Sequence, residues 1–384
     1  MIGYPLAYLY SENSTVDRLG SFSIGPRQCE ADARTKKESK ARPRPDGLRN
    51  RIGELMTRML QLMTGVILFS LATSRCAPAE AMQVPERHGP PWAGAVSAST
   101  TVRLGTSTIQ IDFGPGGLDL KQEDIVQWIE TAGRAISMYF GRFPVARARI
   151  YVVPVAGQHG VLTGTTWGGV GGFPAFSRMR FGEHTTKQEL QDDWTMTHEL
   201  VHVSFPSLPD NNHWLEEGLA TYVEPIARVQ IGTLTEQRIW GDMYRDMRKG
   251  EPAASDKGLN QTHTWASTYW GGALFCLVAD VSIRQKTAGR KGLQDALRGI
   301  VNAGGTIDHA WPVAKVLAVG DNATGTSVLT TLFKTMGEEP GFVDLENFWN
   351  RLGVSVENGQ LVLDAKAPLA QVREQITSQH VPGP

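Results

Sequence analysis

The segment Trp194–Phe205, WTMTHELVHVSF, carries the pattern on which the interpretation of this 384-residue chain depends. His198 and His202 are four residues apart, so on a helix their side chains lie one turn apart on the same face. Two imidazoles at this spacing can bind one metal ion, and Glu199 then lies beside the ion, where it can take a proton from water. Apolar neighbours such as Leu200 indicate a buried helix, in which a histidine pair without a partner would be costly. The pattern therefore favours a metal site over a chance pair.

A catalytic zinc site needs a third protein ligand and one open position. The segment HWLEEGLATYVE, residues 213–224, offers Glu216 and Glu217. On a helix Glu217 shares a polar stripe with Glu224, whereas Glu216 lies on an apolar stripe. We therefore predict Glu217 as the third ligand. Glu224 is predicted to hydrogen-bond a ligating imidazole, and the alternative is a solvated glutamate.

Periodicity predicts the elements around this site. A capping box at Thr186 and Glu189 predicts a helix that begins near residue 187 and ends before Pro206. Asn358-Gly359 predicts a hairpin turn. Strands are expected at 106–113 and 148–155 and within the glycine-rich stretch 161–181, and helices at 121–140, from 213, at 235–249, 264–287 and 293–303. The predicted fold class is α+β, mixed to about residue 230 and mostly helical afterwards.

The motifs resemble those of the gluzincin metallopeptidases. H-E-x-x-H followed by W-L-x-E-G-x-A-x-Y is similar to the peptidase-MA-like branch, which includes aminopeptidase N and the glycyl aminopeptidases. The resemblance implies a thermolysin-like zincin catalytic domain, with a mixed sheet and the HExxH helix, that binds Zn²⁺. In that family the glutamate before the glycine is the third zinc ligand, which matches Glu217.

A second motif of the family matches further along the chain. The segment STYWGGALFCLVADVSIRQKT, residues 267–287, resembles the family helix whose tyrosine donates a hydrogen bond to the tetrahedral intermediate. The resemblance places that role on Tyr269, and an added donor would stabilise the developing oxyanion. The alternative is that Tyr269 only packs with Trp265 and Trp270.

The glycine-rich stretch VLTGTTWGGVGGFPAFSRM lies where the family has the edge strand that pairs with substrate backbone. Glycine allows close approach of two backbones, so substrate-binding positions are predicted at Gly168, Gly169, Gly171 and Gly172. The aminopeptidases carry a Gly-x-Met-Glu-Asn motif here, and its glutamate binds the free amine of the substrate. No acidic residue lies between Val161 and Arg180, which favours an endopeptidase over an aminopeptidase.

The N-terminal region predicts export. A basic flank, an apolar run at residues 59–71 and the sequence Ala79-Glu80-Ala81 are typical of a secretory signal. The predicted organisation is a misassigned or disordered extension at 1–55, a signal peptide at 56–81, a linker at 82–98, the zincin domain at 99–230 and a helical C-terminal domain at 231–384. The predicted location is periplasmic or secreted, without a stable membrane span after cleavage. The alternative is an anchor formed by residues 59–71.

The chain has 38 basic and 39 acidic residues, so it lacks the excess of positive charge that is typical of nucleic-acid-binding proteins. The predicted function is an exported zinc-dependent peptidase that acts on peptides or proteins through water activated by Glu199. The alternatives are a zinc-binding, catalytically weak or inactive peptidase-like binding protein, and an enzyme that hydrolyses a non-peptide amide. His213 and His263 lie near the motif segments and are candidates to line the cleft, but capping or packing is favoured for each.

Overall fold

Five strands form a mixed sheet near the start of the described chain. In the computed structural model, which describes residues 94–378, these strands are β1 Ala98–Leu104, β2 Ser107–Phe113, β3 Arg147–Val155, β4 Val161–Val170 and β5 Phe173–Gly182. Their order in the sheet is β1-β2-β3-β5-β4. β2, β3 and β5 run parallel, whereas β1 pairs antiparallel with β2 and β4 pairs antiparallel with β5. β4 is therefore an edge strand of the described sheet.

Helices make up most of the remaining described chain. In chain order they are α1 Gln122–Phe140, α2 Lys187–Asp192, α3 Thr195–His202, α4 His213–Gln230, α5 Glu236–Asp246, α6 Gly272–Lys286, α7 Leu293–Asn302, α8 Val313–Thr324, α9 Val328–Leu332, α10 Leu345–Leu352 and α11 Ala370–Thr377. A π-helical turn, Ser267–Gly271, leads into α6. The hairpin β6 Val354–Glu357 and β7 Gln360–Leu363 lies between α10 and α11. The described residues are thus mixed α+β, as the sequence predicts.

Glycine residues form the turns of two hairpins, β4–β5 in the five-stranded sheet and β6–β7, which is a separate two-stranded sheet. Gly171 and Gly172 join β4 to β5 with φ angles of 58° and 79°, in the left-handed region that favours glycine. The glycine-rich stretch is therefore two paired strands. Asn358 and Gly359 also have positive φ angles, 50° and 78°, between β6 and β7. The predicted hairpin is confirmed, with the turn geometry that an Asn-Gly pair favours.

The single helix predicted between residue 187 and Pro206 is wrong, because the chain breaks it at Asp193. This residue is extended, with φ −70° and ψ 140°. Its Oδ1 accepts a hydrogen bond from the Thr195 amide at 2.7 Å, and its Oδ2 accepts one from the Thr195 hydroxyl. An aspartate that binds backbone two residues later favours a new helix start over continuation. α3 therefore begins at Thr195, separately from α2.

One apolar core runs from the sheet into the helices. Ile150 of β3, Met196 of α3, Trp214 of α4 and Phe275 of α6 are members of the same buried cluster. Residues 94–378 fall within one compact unit. Gly218 of α4 packs directly on α6, where a Cβ atom would lie 2.2 Å from the Cα atom of Gly272. The close crossing of α4 and α6 therefore depends on two glycines.

Several predicted N-terminal features lie outside the described residues. These are the extension 1–55, the signal segment 56–81 with its apolar run 59–71, and residues 82–93 of the linker. Strand β1 begins at Ala98, the last residue of the predicted linker, and is an element that the sequence analysis missed. Within residues 94–378, no helix combines the length and apolar character needed to cross a bilayer.

Candidate metal centre

Helix α3 carries both histidines of the HELVH segment into the interior. His198 is 1% exposed and Glu199 is 2% exposed, because Leu200 and Val201 bury the helix in the core. The His198 and His202 rings lie 5.0 Å apart between centroids and meet edge to face. Burial lowers the pKa of His202 to about 4. That imidazole is therefore neutral at physiological pH, which is the form that binds metal.

Glu217 of α4 meets both histidines. Its Oε2 lies 3.2 Å from His198 Nε2 and 3.6 Å from His202 Nε2. One potential ligand atom from each of the three residues lies within 4.8 Å of the others. Two imidazole nitrogens and one carboxylate oxygen form a donor set typical of zinc hydrolases. The residues present therefore fit a Zn²⁺ ion.

Glu216, which precedes Glu217 in the sequence, contacts a backbone amide and His213. Glu216 accepts a hydrogen bond from the Leu208 amide at 3.1 Å and lies 3.1 Å from His213 Nδ1. His213 Nε2 then lies 3.3 Å from Oε1 of Glu217. The hydrogen bonds to Glu216 and Glu217 raise the pKa of His213 to about 10. His213, which the sequence analysis assigned to capping or packing, therefore contacts the ligand carboxylate on the side away from the histidine pair.

Glu199 is held by the edge strand. The Thr166 hydroxyl on β4 donates to Glu199 Oε2 at 2.7 Å. Gly164, two residues earlier, lies so close that a Cβ atom there would be 2.5 Å from Glu199 Cγ. Burial raises the pKa of Glu199 to about 7, against the opposing effects of His198 and the Thr166 hydrogen bond. A carboxyl group with this pKa is present in both protonation states near neutral pH.

Tyr269 lies in the π-helical turn before α6 and faces the same centre. Its ring stacks near His198, with centroids 6.4 Å apart, and its phenol lies near the carboxylates of Glu217 and Glu199. Burial raises the pKa of the phenol, so it is a proton donor at physiological pH. Tyr269 also stacks on Trp265 at 5.8 Å. Tyr269 therefore packs on Trp265 and also lies beside the histidine pair, and its catalytic role stays a prediction. π-helical turns are frequent at functional sites.

Glu224 contacts an arginine. Its Oε1 accepts a hydrogen bond from Arg228 at 3.0 Å, one turn later on α4. Nδ1 of His198, which is buried, has no hydrogen-bond partner among the described residues. The predicted bond from Glu224 to a ligating imidazole is thus replaced by an intrahelical ion pair. A buried carboxylate beside an arginine at i+4 satisfies its charge within its own helix.

The four glycines predicted to bind substrate lie at the far end of β4. Gly168 packs on the loop after α7, where a Cβ atom would be 2.1 Å from the Ile307 carbonyl oxygen. Gly169 is exposed, and Gly171 and Gly172 form the turn into β5. The structure places Gly164, rather than these four, against Glu199. Their role toward substrate stays a prediction.

A scan against protein-family models finds no match to this chain, and a search of curated proteins finds none either. Solved structures do match. An aminopeptidase N family protein from Idiomarina loihiensis has a TM-score of 0.49 and 12% identity, over 68% of this chain and 50% of that one. An M1 zinc metallopeptidase from Deinococcus radiodurans has a TM-score of 0.40 and 19% identity, over 64% and 53%. A variant of a two-domain M1 zinc metallopeptidase bound to L-arginine has a TM-score of 0.41 and 18% identity, over 63% and 52%.

These neighbours are described as aminopeptidase N family and M1 zinc metallopeptidases. This chain spans about half the length of each. What the site can do chemically follows from its own atoms.

Proposed function

We propose that this chain is a zinc-dependent peptidase. The observation that carries the proposal is the position of the buried Glu199 carboxylate between the His198, His202 and Glu217 donor set and the edge strand β4. A zinc ion bound by these three side chains would supply Lewis-acid chemistry, by acidifying water and polarising a carbonyl oxygen.

Two protein side chains would carry out proton transfer and stabilisation of the carbonyl oxygen. Glu199 takes a proton from the water that attacks the peptide carbonyl carbon, and returns it to the departing amine nitrogen as the C–N bond breaks. A pKa near 7 suits both transfers. Tyr269, whose phenol stays protonated, donates a hydrogen bond to the carbonyl oxygen as that oxygen gains negative charge. β4 offers an edge along which an extended peptide can lie.

We favour an endopeptidase over an aminopeptidase. β4 carries no acidic side chain, so it offers no carboxylate to pair with a free substrate amine. An enzyme without that anchor should cleave peptides with an acetylated N-terminus at least as well as free ones. Matched fluorogenic peptides, acetylated and free, measure this ratio. A strict requirement for the free amine would overturn the endopeptidase assignment.

We also propose export, on the signal pattern at residues 56–81. N-terminal sequencing of the protein from its native host tests this, because cleavage after Ala81 leaves a chain that begins at Met82. A product that still begins at residue 1 would contradict the proposal.

The Glu199→Gln variant tests the peptidase mechanism. An amide cannot accept the proton, so we expect hydrolysis of casein to fall by at least about 1000-fold, with zinc content unchanged. Elemental analysis and a casein assay, each with and without a chelator, give the two readouts. Cleavage by the variant at the wild-type rate would exclude Glu199 as the base. Zinc bound tightly by a wild-type protein that cleaves no substrate would instead indicate a peptidase-like binding protein.

A further inference from the structure

Thr166 lies in the middle of β4, on the face of the sheet that contacts α3. It pairs in register with Ser177 of β5, so both hydroxyls point to this face. Thr166 Oγ1 lies 2.9 Å from Ser177 Oγ and 2.7 Å from Oε2 of Glu199. It also lies 3.3 Å from the backbone carbonyl oxygen of Glu199. One hydroxyl thus joins two strands to the helix that carries the candidate base.

The direction of these hydrogen bonds follows from the donors present. An ionised carboxylate accepts only, and a hydroxyl has a single proton to donate. Thr166 therefore donates to Glu199 Oε2, the closer and more negative acceptor, and Ser177 donates to Thr166. Ser177 and Glu199 are each 2% exposed, and Thr166 between them is half-buried, so these bonds lie at the edge of the protein interior. Hydrogen bonds to charged groups in such surroundings are the stronger ones.

Gly164 adds a steric part to the same arrangement. A Cβ atom at this position would come within 2.8 Å of Oε1 of Glu199 as well as close to its Cγ. Gly164 of β4 therefore leaves room for the Glu199 carboxylate, and Thr166, two residues later, hydrogen-bonds to it. Because Oε2 is engaged by Thr166, Oε1 is the oxygen that remains for proton transfer.

We propose that Thr166, supported by Ser177, is the positioning residue that fixes the Glu199 carboxylate for proton transfer. This role rests on the proposed peptidase function. Thr166 acts through Glu199 and need not touch the substrate. Loss of its hydroxyl should therefore lower kcat and leave KM and the zinc content nearly unchanged.

The variants Thr166→Val and Thr166→Ser distinguish the effect of the hydroxyl group on kcat from the effect of the side-chain shape. Valine keeps the branched shape without a donor, so we expect kcat to fall about 10- to 100-fold, the loss expected for one hydrogen bond to a charged group. Serine keeps the donor and should restore most of the rate. Thr101→Val is the matched control, because Thr101 is an exposed threonine on β1, at the opposite edge of the sheet from β4. Ser177→Ala should lose less than Thr166→Val.

The measurements are kcat and KM on a quenched fluorescent peptide, zinc content, and a crystal structure of Thr166→Val. That structure should show the Glu199 carboxylate displaced from its wild-type rotamer. A Thr166→Val enzyme with wild-type kcat, or a Thr166→Ser enzyme no faster than Thr166→Val, would overturn the role of the hydroxyl while leaving the peptidase function intact. Absence of chelator-sensitive cleavage in wild type and in Thr101→Val would overturn the peptidase function and this role together.

Discussion

At the scale of single residues, Glu217, the predicted third metal ligand, is itself held by a neighbouring histidine. Glu217 uses Oε2 toward His198 and His202 and Oε1 toward His213. A ligand carboxylate with both oxygens engaged is restricted to one orientation. Groups that orient ligands in this way commonly contribute as much to metal affinity as some ligands do.

The His213→Ala variant tests this support. Without the imidazole, Glu217 loses its restraint on Oε1, and we expect zinc affinity to fall about 10- to 100-fold. Competition with a chromophoric chelator measures the affinity without reference to catalysis. His263→Ala is the control, since His263 is an exposed histidine outside the His198, His202 and Glu217 cluster. Equal affinities of His213→Ala and wild type would show that Glu217 needs no such restraint.

Spacing in the sequence predicted some of these residues and not others. HELVH and the glutamate before Gly218 follow from separations that a helix fixes, so they are visible without coordinates. His213 also had a signal, since it precedes Glu216 and Glu217 by three and four residues, but helical spacing alone does not say which carboxylate binds metal. Thr166 had no signal, because its bond to Glu199 spans 33 residues and depends on strand register.

At the scale of elements, the sheet carries a buried ion pair on the face away from α3. Asp112 of β2 is 1% exposed and lies 2.6 Å from Arg149 Nε on β3. Ser99 of β1 and Gln110 also donate to its carboxylate. Burial tends to raise the pKa of Asp112, but the hydrogen bonds from Ser99, Gln110 and Arg149 outweigh it and hold the pKa below its ordinary value of 3.8. The pair therefore joins three neighbouring strands.

This ion pair predicts a pH dependence of stability. Because the folded pKa is lowered, the folded state binds fewer protons than the unfolded state near pH 4, and stability rises with pH there. The contribution is complete above about pH 4 and is lost as pH falls through the folded pKa. We expect Asp112→Asn to lower the free energy of unfolding by about 2 kcal/mol at pH 7, with a smaller difference at pH 3. Urea titrations at both pH values measure it.

The control for this prediction is Asp192→Asn, which changes an exposed carboxylate on α2. Its effect should stay within about 0.5 kcal/mol at pH 7. If Asp112→Asn lost the same stability at pH 3 as at pH 7, the cost would come from packing and not from the charge.

Elements were predictable to different degrees. The sequence predicted β2, β3, α1 and the Asn358-Gly359 turn. Each is marked by a pattern within a short stretch of sequence: alternation in the strands, helical periodicity in α1 and the Asn-Gly pair in the turn. The break at Asp193 was missed because the apolar pattern continues across it, while the hydrogen bonds to Thr195 decide the backbone. The π-helical turn at Tyr269 was missed because tertiary packing of Gly271 and Gly272 shapes it, which no helical period records.

At the scale of the whole molecule, the site is assembled from both halves of the described chain. Glu199 and the ligands come from α3 and α4, whereas Tyr269 comes from the turn before α6. Trp214 of α4 packs on Phe275 of α6 at 5.3 Å between ring centroids. Tyr222 of α4 donates to the buried carboxylate of Asp280 at 3.0 Å. The predicted elements change near residue 230 from mixed to mostly helical and predicted a boundary there, but this order of elements does not record which faces of the helices meet.

That boundary can be tested by cutting the chain at it. A fragment of residues 94–230 would expose the face of α4 that covers Gly272, and a fragment of residues 231–378 would leave Asp280 without Tyr222. Exposed apolar surface of this kind favours loose, dye-binding states over a unique fold. We therefore expect neither fragment to unfold cooperatively or to show near-ultraviolet circular dichroism, while residues 94–378 unfold in one transition. A 94–230 fragment that unfolds cooperatively and binds zinc as tightly as the intact chain would instead establish an independent catalytic domain.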